Sequence, residues 1–231
     1  MVKHSKRYEQ ASAKVDRNKT YEPQEALQLI KSLPPAKFDE SVEVVIRLGI
    51  DPRKTDQLVR GAVSLPKGLG KKVRVIVFAE GDKATAAKTA GADEVGAAEL
   101  ADRIQGGWMD FDVVITSPDM MKHVGKLGKV LGPQGKMPSP KSGTVTTDVA
   151  AAVREFKAGK VEFRTDAGGN VHAALGKRSF SADDLGANLK AFLDHVSSLR
   201  PPAVKGDFLR KISLSTTMGP GVRIAWEMSH A

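Results

Sequence analysis

The chain has 231 residues, with 36 Lys and Arg against 27 Asp and Glu, a formal charge of +9 and no cysteine. That excludes disulfides, thiolate metal sites and a cysteine nucleophile, and the charge favours a polyanionic partner, most often nucleic acid. No apolar run approaches the roughly 18 residues needed to span a bilayer, and the basic N-terminus has no apolar stretch behind it, so neither a membrane anchor nor a secretory signal is expected.

In chain order, the first element predicted is a helix over about 22–32, with Thr20 as its cap and Pro23 in its first turn. Residues 42–48 alternate, with Val42, Val44, Ile46 and Leu48 on one side, as in a strand of a half-covered antiparallel sheet. The middle of the chain differs. Val73–Ala79 and Val113–Thr116 are nearly continuous apolar runs, as in strands buried on both faces. Helical stretches follow at about 82–90, 97–105 and 147–158, and this alternation predicts an α/β unit. Beyond it, alternation returns at Val161, Phe163 and Thr165, at Ile212, Leu214 and Thr216, and at Val222, Ile224 and Trp226. A second helix is expected over about 182–199, capped by Ser181, with Leu185, Leu189, Phe192 and Val196 on one stripe. The economical reading is one domain interrupted by another. An α+β domain, an antiparallel sheet with two helices, takes 1–67 and 159–231. A Rossmann-like α/β domain takes 68–158, joined by glycine-rich crossings that suit hinges.

The positive charge is spread over all these segments. Locally, the window from Met120 to Thr147 has no acid but five lysines: Lys122, Lys126, Lys129, Lys136 and Lys141. Its glycines invite comparison with a phosphate loop. The spacing fails, because Val130 stands where the first glycine belongs and Met137 where a hydroxyl should follow the lysine. A mobile lysine-rich surface loop is the plainer reading, and contact with nucleic-acid phosphates the intermediate one. The turn after 73–79 holds Glu80 and Asp82, which repel a pyrophosphate, and no dinucleotide fingerprint is present. Ser64-Leu-Pro-Lys67 matches a serine-nucleophile motif only by coincidence, since Pro66 breaks the helix it needs. The histidines have no metal spacing. Neither a cofactor nor a metal is expected, and catalysis is not; a nucleotide-dependent enzyme in the middle domain is the alternative.

Aromatic residues are too scarce for a base-stacking sheet. Phe38, in Lys37-Phe-Asp-Glu-Ser41, is either a core anchor under the helix–strand turn or a residue at the edge of an RNA surface. Ser213-Leu-Ser-Thr-Thr-Met-Gly-Pro-Gly221 is either a strand ending in a tight turn or a segment whose hydroxyls and bare backbone bond ribose and phosphate.

Four segments carry a resemblance: Lys37-Phe-Asp-Glu-Ser41, Leu48-Gly-Ile-Asp-Pro-Arg-Lys54, Gly125-Lys-Leu-Gly-Lys-Val-Leu-Gly-Pro-Gln-Gly-Lys-Met-Pro138 and Ser215-Thr-Thr-Met-Gly-Pro-Gly221. The chain resembles the ribosomal L-one family, in its bacterial form, collinearly from about residue 5 to residue 226. The resemblance implies a cytoplasmic, non-catalytic protein, monomeric within the ribosome. Its implied partners are large-subunit ribosomal RNA at the mobile side stalk, exit-site transfer RNA, and the messenger of its own operon, whose translation it would repress. It also implies an RNA surface on the first domain, at Lys37, Phe38, Glu40, Ser41, Arg164, Asp166, His172, Ser215, Thr217, Met218 and Gly219, with secondary contacts from the five lysines. Two departures stand out. Ala167 occupies a place where the family usually has lysine, so one phosphate contact is lost or moves to Lys160 or Lys177. Lys67 and Leu69 replace the usual hinge His and Thr.

Overall fold

The computed structural model describes residues 4–226. Element order is α1 (Lys6–Ala13), α2 (Pro23–Ser32), β1 (Ser41–Leu48), β2 (Arg60–Ser64), β3 (Val75–Phe78), α3 (Asp82–Thr89), β4 (Glu94–Gly96), α4 (Ala98–Gln105), β5 (Val113–Thr116), α5 (Met121–Val124), α6 (Gly128–Leu131), α7 (Val149–Ala158), β6 (Lys160–Arg164), β7 (Asn170–Lys177), α8 (Ala182–Ser198), β8 (Leu209–Thr216) and β9 (Val222–Ile224). The chain divides into two compact units. One takes both chain ends, up to Lys71 and from Phe163 onward; the other is Lys72–Glu162.

The first unit is built on a four-stranded sheet in the order β7-β1-β8-β9, antiparallel throughout. Side chains along a strand alternate between faces, so one face of β1 presents Val42, Val44, Ile46 and Leu48, all buried. Helices α2 and α8 cover that face with Leu27 and Ile30 from one and Leu185, Leu189, Phe192 and Val196 from the other. Ser181 caps α8, its hydroxyl accepting from the Asp184 amide at 3.0 Å. Thr20 does not cap α2. The helix begins at Pro23 behind Glu22, with no side-chain cap, because the preceding Tyr21 is drawn into a backbone bridge with Ile224. Buried Asn188 on α8 fastens the departing chain. Its Oδ1 accepts from the Lys67 amide at 2.9 Å, and its Nδ2 donates to the carbonyls of Gly68 at 3.0 Å and Leu175 at 2.7 Å.

The second unit holds a parallel sheet in the order β4-β3-β5. All four residues of β3 are buried, as a strand with cores on both faces requires. Ile76 and Phe78 point to one core, with Leu100, Ile104 and Phe111. Val75 and Val77 point to the other, with Ala87, Val149, Val153 and Phe156. The lysine window is not the mobile loop of the plainer reading. It folds into α5, α6 and intervening turns, and Val124, Leu127 and Leu131 are fully buried in the first core. Their spacing is that of one helix face; the glycines between them shorten the helices without freeing them from the core.

Candidate nucleic-acid interface

The sequence-predicted residues of the first unit fall into two clusters. The first surrounds Glu40, which is fully buried between α2 and β1. Its Oε1 accepts from the Ala36 amide at 2.8 Å and from Arg178 at 3.3 Å, and its Oε2 accepts from the Met218 amide at 3.0 Å. Burial alone would push this carboxyl up. The amides of Ala36 and Met218, the Thr216 hydroxyl and the Arg178 guanidinium outweigh burial, and the net shift is down. Glu40 is therefore an anion at neutral pH and makes its contacts inside the protein. The expectation of an RNA-facing Glu40 is corrected: it sets the positions of two exposed turns.

Those turns are held by other groups as well. Arg7, on α1, donates to the Met218 carbonyl at 2.9 Å and to the Pro34 carbonyl at 3.2 Å. Arg178 also donates to the Lys31 and Leu33 carbonyls. Thr217 and Ser41 exchange a pair of bonds: the Thr217 amide donates to the Ser41 carbonyl, and the Ser41 amide donates to Thr217 Oγ1, both at 3.0 Å. A Cβ at Gly219 would lie 2.4 Å from Thr216 Oγ1, so only glycine lets the turn close over that hydroxyl.

What this scaffold presents outward is apolar. Phe38 is 55% exposed and Met218 is 51% exposed. That settles the open reading of Phe38 against a core anchor. Two large apolar side chains on turns fixed by one carboxylate, with exposed Lys37 beside Phe38, make a rigid surface suited to burial by a partner.

The second cluster is the turn from Asp166 to Asn170, followed by His172. The Asp166 carboxylate accepts from the amides of Gly168 at 2.8 Å and Asn170 at 2.7 Å, from Asn170 Nδ2 at 3.0 Å, and from His172 Nε2 at 3.2 Å. The Asn170 amide leads in holding this carboxyl far below the usual aspartate range. As with Glu40, the acid builds the turn. The groups left for a ligand are Arg164, which is exposed, and the exposed His172 ring.

The strand register sets these clusters apart. Ser41 pairs with Lys177, whereas Arg47 pairs with Asn170, so the clusters stand at opposite ends of β1, about 20 Å apart at the usual rise per residue. This answers the question raised by Ala167. Lys177 lies at the Ser41 end, donating to Ser41 Oγ at 3.1 Å, and Lys160 is paired with Glu155 at 2.6 Å. Lys177 therefore does not stand in for a lysine at 167.

In the second unit, Lys122, Lys126, Lys129 and Lys141 are exposed and form no ion pair among the described residues. Lys136 differs. Its Nζ donates to the Phe111 carbonyl at 2.5 Å and lies 4.7 Å from the centre of the Phe111 ring, so it ties its loop to the core. At the carboxyl end of β3, where a doubly wound sheet takes phosphates, exposed Glu80 and Asp82 stand instead. Among the described residues no group of acidic, histidine or cysteine side chains could hold a metal ion, and no helix is long and apolar enough to cross a membrane.

Sequence reasoning missed Arg7 and Arg178. Nothing in their local sequence marks them; only the meeting of α1, β7 and the turn after β8 brings both guanidinium groups to the Glu40 carboxylate.

Comparison with known proteins points to one family. The profile of the Ribosomal protein L1p/L10e family matches residues 29–220. A protein of Cutibacterium acnes named large ribosomal subunit protein uL1 is 56% identical over 223 residues, 96% of each chain. Proteins of the same name from Thermosipho melanesiensis and Kosmotoga olearia are 56% and 54% identical, each over 97% of both chains. The chain belongs to the ribosomal protein L1p/L10e family, a family of ribosomal structural proteins and not of enzymes.

Proposed function

We propose that this protein binds folded large-subunit ribosomal RNA at the mobile side stalk, using the first unit as its main surface. The observation that carries the reading is the Glu40 scaffold. A buried anion and two arginines fix the Phe38 and Met218 turns so that their apolar side chains face outward. A preformed surface recognises RNA by shape, backbone and ribose contacts without reading a base sequence. The same surface would bind a copy of that RNA fold in the protein's own messenger and so repress its translation. Lys122, Lys126, Lys129 and Lys141 would give the second unit a weaker, salt-dependent grip on exit-site transfer RNA.

The test is binding to an isolated stalk hairpin against a refolded scramble of equal length, at low and high salt. A preference of about a thousandfold that survives high salt is expected, since nonspecific counterion release fades as salt rises. Equal affinities that collapse together would overturn the reading. The second unit's share is checked with Lys126→Glu combined with Lys129→Glu. This variant is expected to bind the isolated hairpin within about twofold of the parent, because both lysines lie outside the main surface. A loss of about tenfold, or ~1.4 kcal/mol, would move the main surface to the second unit.

A further inference from the structure

Sulfur in this chain is carried by methionine alone, since there is no cysteine. Five of the seven methionines lie among the described residues, and their surroundings divide them. Met120 is buried in the first core of the second unit, and Met109, Met121 and Met137 are half-buried against that same core. Met218 stands apart. It lies on the turn between β8 and β9, half in water, and is the one exposed methionine among the described residues.

The turn is built so that its sulfur can change without the backbone following. The bonds that hold it use only main-chain groups of Met218: the N–H donates to Glu40 Oε2 at 3.0 Å, and the C=O accepts from Arg7 at 2.9 Å. The thioether takes no part in them. Its role is to be one of two large apolar side chains, with Phe38, on the outward surface of these turns. Oxidation would end that role. A thioether is apolar and flexible, whereas its sulfoxide is polar and carries an oxygen that accepts hydrogen bonds and donates none. Phosphate oxygens also only accept, so a sulfoxide there has no bond to offer them and holds water that the thioether would release.

We propose that Met218 is a reversible oxidation site, at which a peroxide weakens the protein's hold on RNA. A sulfur lone pair attacks one oxygen of hydrogen peroxide, and the S–O bond forms as the O–O bond breaks. Both protons leave with the departing oxygen as water; sulfur gives up two electrons and the peroxide takes them. A sulfoxide reductase reverses the step with two electrons and two protons from a dithiol, which becomes a disulfide while the oxygen leaves as water. Exposure serves both directions, because oxidant and reductase must each reach the sulfur. The four methionines packed on the second unit's core are shielded, so the surface responds before that core does. The proposal rests on the stalk-RNA reading and adds a form of regulation to it.

Brief treatment of the full chain with hydrogen peroxide tests it. Peptide mass mapping is expected to find Met218 oxidised at least about fivefold faster than Met109, Met120, Met121 and Met137. Hairpin affinity is expected to fall about tenfold as the Met218 sulfoxide accumulates. It should return after treatment with the sulfoxide reductases for both epimers and a dithiol, a recovery that damage to the fold cannot imitate. Met218→Leu, apolar but without sulfur, is expected to bind the hairpin equally before and after peroxide. Three results would each overturn the switch: equal oxidation rates at all five methionines, undiminished affinity with Met218 fully oxidised, or a Met218→Leu protein that loses affinity under peroxide as the parent does. Each leaves the stalk reading intact, provided the untreated parent prefers hairpin over scramble. An untreated parent that binds both RNAs alike would overturn the stalk reading and the switch with it.

Discussion

Met218→Asp is expected to weaken binding to the stalk hairpin by about a hundredfold, the ~2–3 kcal/mol typical of a residue at the centre of an interface. The reasoning starts from exposure. Half of the Met218 side chain is in water, so a carboxylate there costs the fold little. The Met218 backbone, by contrast, is gripped at its N–H by Glu40 and at its C=O by Arg7, so the turn that carries the new charge stays in place. It would meet phosphates in place of an apolar contact. Thr217→Ala acts by a second route. It removes the acceptor of the Ser41 amide and loosens the clasp between the two turns. Thermal melting separates binding from folding: Met218→Asp should melt with the parent. Equal affinity of parent and variant for the hairpin would remove these turns from the interface.

Glu40→Ala has the largest expected effect on stability, a loss of about 3–5 kcal/mol, because it leaves the Arg178 guanidinium uncompensated in a buried site and orphans two amides. Glu40→Gln keeps an acceptor but brings an NH2 against groups that only donate, so a smaller loss is expected. The pH dependence follows from the depressed carboxyl. A carboxyl whose folded pKa lies below its unfolded value contributes its full stability above the unfolded value and loses it as pH falls through the folded one. Urea titrations at neutral and acid pH should therefore show parent stability falling below about pH 4, with Glu40→Gln falling less steeply over the same window. A Glu40→Gln protein as stable as the parent at neutral pH would show that the carboxylate does not hold the turns.

The fold was largely legible where burial writes a period into the chain. The alternation at 42–48 appears as β1, Ser41–Leu48, and the apolar run at 73–79 contains β3, Val75–Phe78. The stripe predicted over 182–199 is α8, Ala182–Ser198. Elements that bury little were missed. Helix α1 buries only Ala11, and β4 has three residues, all half-exposed. The candidate site was legible as residue types on turns: Phe38 and the Ser213–Gly221 segment stood out, and Phe38 and Met218 are exposed large apolar side chains. Roles were harder. Glu40 and Asp166 look like surface acids in a string of letters, and only backbone amides brought in from other segments reveal them as anchors.

The Glu40 scaffold ties together Arg7, Ala36, Arg178 and Met218, positions taken from nearly the full length of the chain. The order of synthesis gives that span a consequence. A nascent chain can form β1 and α2 early, but the Met218 turn that completes the surface comes close to its end. Until then Glu40 lacks the Met218 amide, and the Phe38 turn stands without its neighbour. The surface is thus closed late, and a chain cut short before Met218 would lack the turn that closes over Glu40.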